Sequence, residues 1–202
     1  MNHKTKIELI ALAIISLIGL FTVVNGHEIF DSLHLLSYQP SKAVSDLADD
    51  AGMNEKGKKL FYRFSPQITK KQELQNRCQQ AAHPVGCVSG NTIYILEPEN
   101  AVDEQEIIVT AAHEMLHVAY SRLSNSEKEL LTEEFSSSLS TAESDIVSDI
   151  QAYRDQDEEI IQDETHSILG SQAIHLSNTL ETYYRAYFAD RQKAVSAYQL
   201  SK

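Results

Sequence analysis

An α+β fold is predicted for this chain of 202 residues, and three observations carry the prediction. Alternating apolar residues mark "KLFYRFS" and "NTIYILEP" as strands. From Asp103 onward, capping signals and helical periodicity continue almost to the C-terminus. Hydrophobic residues make up 42% of the chain, enough to bury a core. The expected layout is a small antiparallel or mixed sheet of two to three strands, then a mostly helical part, all behind an N-terminal transmembrane helix.

The N-terminus justifies the last element. "MNHKTK" carries Lys4 and Lys6, and an apolar run follows from Ile7 to Val24 with Glu8 as its one charge. About 18 apolar residues is near the lower limit for crossing a bilayer. No further Lys or Arg occurs before Lys42, while Glu28 and Asp31 follow the run. The positive-inside rule then places the N-terminus in the cytoplasm and the remainder outside. Cleavage after Gly26, with Val24 three residues upstream of the cut, is the alternative, and it would release a secreted protein. Both readings export the rest. Residues 1–26 are accordingly expected to form the anchor, 27–40 a juxtamembrane linker, and 41–202 the folded domain. In an oxidising compartment Cys78 and Cys87 should pair across "CQQAAHPVGC", with two free thiols as the alternative.

Within 41–202 the elements follow in order. "SKAVSDLADDAG" spaces Val44, Leu47 and Ala48 helically and stops at Gly52. A strand at Leu60–Phe64 is expected next, then a helix from Thr69, then the strand "NTIYIL". Asp103 and Glu106 read as a capping box opening a helix to about Leu123, and Ser126 with Glu129 as another. The acidic stretch Glu143–Asp163 keeps a helical apolar stripe through Ile146, Ile150 and Tyr153. A single helix is expected over "LSNTLETYYRAYFADRQKAVSAYQL". The net charge of −12 and the lack of any long Lys/Arg cluster exclude a nucleic-acid binder, which needs a basic footprint.

The chemistry concentrates in "VTAAHEMLHVAY". His113 and His117, at i and i+4, leave one face of a helix one turn apart, so both imidazoles can bind one Zn²⁺ at roughly 2.0–2.1 Å. Glu114 lies about 100° round the helix, placed to act as base toward a water on the metal. The flanking Thr110, Ala111, Ala112, Met115, Leu116, Val118 and Ala119 carry no charge, so this helix is expected to be buried. A bare buried histidine pair bonded to backbone is the plain alternative, and it leaves a costly glutamate without a partner.

Over some twenty residues the motif resembles the zincin metallopeptidases. Their metzincin branch requires Gly and His where this chain has Tyr120 and Leu123, so the resemblance is to the gluzincin branch. That resemblance implies a third ligand from a later helix. Glu164 in "IIQDETHSILG" is the candidate, because Ile160, Glu164 and Ile168 share one face. The acidic residue usual four places after the ligand is missing, since Ile168 stands there. The resemblance further implies an edge strand that binds substrate backbone, a part open to "NTIYIL", and a group stabilising the oxyanion. His166 is the candidate for that group, with Tyr183, Tyr184 and Tyr187 as others that equally suit core packing. A weaker likeness to peptide deformylases would make Cys87 a ligand. His175 and Arg191 receive no role. The expectation is a membrane-anchored, zinc-dependent endopeptidase acting on peptide or protein substrates outside the cell membrane. The alternative is an exported zinc-binding scaffold without turnover.

Overall fold

A computed structural model of the chain divides into two units, residues 1–39 and 40–202. The structure describes Asp31 and residues 35–78 and 85–202. The expected anchor and half of the linker therefore lie outside the described residues. Among the described residues no helix is long and apolar enough to cross a membrane.

The second unit is α+β. Its described elements run α1 (Lys42–Asp50), α2 (Glu55–Arg63), β1 (Gln67–Thr69), α3 (Lys71–Arg77), β2 (Gly86–Ser89), β3 (Thr92–Leu96), α4 (Ala101–Tyr120), α5 (Asn125–Leu139), α6 (Ser144–Gln151), α7 (Glu158–Gln172), α8 (Asn178–Tyr184) and α9 (Gln192–Leu200). The three strands form one mixed sheet in the order β1-β3-β2. β1 runs parallel to β3, with Ile68 opposite Ile95, and β2 runs antiparallel to it, with Gly86 opposite Ile95 and Ser89 opposite Thr92. β3 is therefore the central strand, and Ile93, Tyr94 and Ile95 are buried in succession, as a strand covered on both faces requires.

Helix α4 is the axis of the core. Ala111, Ala112, Met115, Leu116 and Ala119 pack among Leu47, Phe61, Ile95, Leu169 and Tyr184. Small residues on α4 let its neighbours approach closely, and Gly170 does the same on α7. A Cβ at Gly170 would stand 2.5 Å from Leu116 Cδ1 and 2.6 Å from Tyr184 Cε1. The C-terminal end of α7 is held by Arg191, a buried side chain whose Nη1 donates to the Ala173 carbonyl at 2.7 Å and whose Nη2 pairs with Glu181. A cation there meets the carbonyls that a helix terminus leaves without partners.

Several sequence expectations are corrected. Leu60–Phe64 is not a strand but the end of α2 and its cap. The Asn54 side chain accepts from the amides of Lys56 and Gly57, and Gly57, Leu60 and Phe61 then bury one helical face. The N-cap of α4 is Asn100, which accepts from the amides of Val102 and Asp103, while Asp103 turns back to accept from the Glu99 amide. The capping box of α5 is Ser124 with Glu127, two residues before the pair expected. The helix expected from Thr69 begins at Lys71. The C-terminal helix is two, α8 and α9, broken around Phe188 where the chain bridges to Met53.

Candidate metal centre

His113 and His117 project from the middle of α4, and Glu164 from the first half of α7, which Gly170 draws against α4. The three ligand atoms lie within 4.8 Å of one another. His113 Nε2 and His117 Nε2 face each other at 2.9 Å. Glu164 Oε2 is 3.4 Å from His113 Nε2, and Oε1 is 3.8 Å from His117 Nε2. Ligands at the zinc bond lengths given above, set at a tetrahedral angle, stand about 3.3–3.4 Å apart, so the donor set fits a small cation held between them. One atom points the same way. Glu164 Oε2 is buried without a hydrogen-bond partner, which is costly for a polar atom unless something else satisfies it.

The residues around the ligands prepare them for metal. Asp163 Oδ1 is 2.9 Å from His117 Nδ1, and Ser167 Oγ is 3.3 Å from the same atom. Accepting the Nδ1 proton leaves the lone pair on Nε2, the atom that faces the centre. Burial works to lower the His117 pKa. The Asp163 hydrogen bond and the charges of Glu114, Asp163 and Glu164 outweigh it and push it up to about 9. For Glu164, burial favours the neutral acid, but the approach of His113, the charge of both imidazoles and the Tyr153 hydrogen bond together hold its carboxyl below the ordinary value.

Glu114 is 6% exposed. Burial raises its pKa, and the two histidines pull partly against that rise. A carboxylate poised upward from its ordinary value is suited to taking and returning a proton near neutrality. β2 packs against it at Gly86. A Cβ placed on Gly86 would lie 3.5 Å from Glu114 Oε1 and would clash with Thr110 Cγ2. Among the described residues β2 pairs with β3 alone, so β2 is the edge strand beside the centre, and "NTIYIL" is corrected to the sheet's middle.

His166 does not join the others. Two residues beyond Glu164 is about 200° round a helix, and there the ring is completely buried. Its Nε2 lies 2.9 Å from the Tyr183 hydroxyl, and its ring packs against those of Tyr120 and Tyr184. Burial, then the charges of His117 and His113, lower its pKa to about 3. The structure thus places His166, the expected oxyanion stabiliser, in the aromatic core and does not bring it into the group formed by His113, His117 and Glu164. Tyr184 is equally buried, its hydroxyl donating to the His166 carbonyl at 2.7 Å. Cys87 is bonded to Cys78 as expected, so it is not a ligand.

The roles of two residues at the site escaped the sequence reading. Asp163 lay hidden in an acidic stretch, one place before the ligand instead of four after it. Tyr153 counted only as part of an apolar stripe, yet it hydrogen-bonds Glu164, and burial followed by the Glu164 charge pushes its phenol up to about 12. Its one signal was an aromatic hydroxyl at the end of a stripe of isoleucines. No family model, curated protein or solved structure matches the chain.

Proposed function

We propose that the protein is a zinc-dependent endopeptidase of the gluzincin type, held at the outer face of a membrane by residues 7–24 or released after Gly26. The observation that carries the reading is the convergence of His113, His117 and Glu164 beside a buried Glu114. The Cys78–Cys87 disulfide supports an oxidising compartment.

In this reading His113 Nε2, His117 Nε2 and a Glu164 oxygen hold Zn²⁺, and Asp163 fixes the His117 ring. Zinc, when bound, polarises a peptide carbonyl and acidifies water. Glu114 takes the water's proton at its carboxylate and delivers it to the leaving amine. Its burial serves both steps by keeping the proton's affinity for the carboxylate high. In this reading Tyr153, whose phenol interacts with Glu164, donates to the developing oxyanion. An extended peptide adds to the edge of β2, where Gly86 keeps the strand against Glu114.

Glu114→Gln tests the reading. Zinc should stay bound while cleavage of casein or a generic peptide disappears, and chelation of the wild type should abolish cleavage reversibly. Undiminished cleavage by the variant would remove Glu114 from the mechanism. Zinc binding with no cleavage by the wild type would favour the scaffold reading.

A further inference from the structure

The edge strand beside the centre is tethered in an unusual way. Gly86 brings its backbone against Thr110 and Glu114, and the next residue, Cys87, is bonded to Cys78 at the C-cap of α3. Helix α3 is itself anchored on the sheet. Leu74 and Cys78 are buried together with Tyr94 of β3, and Cys87 and Leu96 pack against that cluster. At the other end of α3 the Thr69 hydroxyl donates to Glu73 at 2.8 Å, joining the helix to β1. Arg77 covers the Tyr94 ring at 5.4 Å. Without the disulfide, β2 would be four residues long with one ladder partner among the described residues. A strand so short and so sparsely paired is weakly fixed on its own.

We propose that the Cys78–Cys87 disulfide is a positioning device for substrate, holding β2 so that a peptide added to its edge lies in register with Glu114 and the metal ligands. The proposal rests on the peptidase reading. Cys78 and Cys87 touch no reacting atom, and they act through the strand. A dithiol reductant would break the S–S bond, pass two electrons and two protons to give two cysteine thiols, and close to its own disulfide. The ligands on α4 and α7 stay in place, and β2 is released. Fixing the backbone of even one strand residue is worth roughly a factor of ten in an equilibrium constant. Peptide affinity therefore moves with the disulfide, while zinc binding and the chemical step do not.

The test compares the full chain with its Cys78→Ser/Cys87→Ser variant, both zinc-loaded. Peptide affinity is read in a Glu114→Gln background with an unhydrolysed fluorescent peptide, and KM and kcat in the active background. Loss of the disulfide should raise Kd and KM about tenfold and leave kcat within about threefold. Amide exchange should quicken at 86–89 and stay slow at 93–95 and 107–119. Gly86→Ala, with the disulfide intact, pushes the strand off Thr110 and should reproduce the rise in KM. Unchanged KM and unchanged exchange at 86–89 would overturn the proposal, as would loss of zinc or of the whole fold in the serine variant. A wild type that binds the peptide in a disulfide-dependent way but cleaves none refutes the peptidase reading and leaves the positioning role standing.

Discussion

Removing the Asp163 carboxylate tests how the centre is prepared for metal. Asp163 accepts from His117 Nδ1 at 2.9 Å, and such partners typically contribute 10–100-fold to metal affinity. Ser167 Oγ, at 3.3 Å, offers the ring a second partner, so Asp163→Ala should fall near the lower bound. That is about tenfold, or about 1.4 kcal/mol. Asp163→Ala/Ser167→Ala should approach about a hundredfold. The same carboxylate also favours the proton. In the metal-free protein burial lowers the His117 pKa, but the Asp163 hydrogen bond, ahead of the charges of Glu114, Asp163 and Glu164, raises it to about 9. Protons therefore compete with zinc below that pH. Wild-type affinity should climb from pH 7 to about 9 and then level, whereas Asp163→Ala should level earlier. The deficit of the variant is consequently largest near pH 9 and partly masked at pH 7. Competition against a chromophoric chelator, titrated across this range, measures both quantities. A variant affinity within twofold of wild type at pH 9, with the same pH slope, would refute the reasoning.

Further outcomes follow from packing and from the aromatic residues. Gly170→Ala forces a Cβ to within 2.5 Å of Leu116 Cδ1. It should cost about 1–3 kcal/mol of stability, seen as a lowered Tm in thermal denaturation, and weaken zinc binding by moving α7 from α4. Tyr153→Phe removes the hydroxyl that bonds Glu164 and should lower kcat by about 10²–10³ if that hydroxyl serves the oxyanion, with zinc content unchanged. Equal kcat would limit Tyr153 to packing. His166 has a folded pKa of about 3 against an ordinary 6.5, so the fold favours its neutral form. The stability it contributes is fully present above pH 6.5 and is lost as pH falls toward 3. In metal-free protein, His166→Gln should flatten that acid limb in denaturant titrations, and a limb parallel to wild type would contradict the assignment.

How much of this was legible in the sequence depends on whether local spacing sets the outcome. The i, i+4 histidines and the placing of Glu164 between Ile160 and Ile168 follow from helix geometry alone, and the structure brings these three side chains together. His166 fails by the same geometry, because an offset of two on a helix points a side chain away from its neighbour's target. "KLFYRFS" was ambiguous because Leu60, Phe61 and Tyr62 are consecutive and Phe64 follows one residue later, so an alternating reading and a helical one both fit. The Asn54 cap and the burial of Phe61 decided for helix. Asn100 and Asp103 both suit an N-cap, and only tertiary placement of the preceding turn selects between them. β1 and β2 are three and four residues long, too short to signal by alternation. The central position of β3, and hence the role of β2 as edge, is a matter of pairing partners that no single segment encodes.

Zinc content per chain tests the central claim most directly, measured by elemental analysis after dialysis against metal-free buffer. The account predicts one zinc in the wild type and in Glu114→Gln, and none in His113→Ala, His117→Ala or Glu164→Ala. A wild type that retains no zinc, or a Glu164→Ala variant that binds it as tightly as the wild type, would contradict the account.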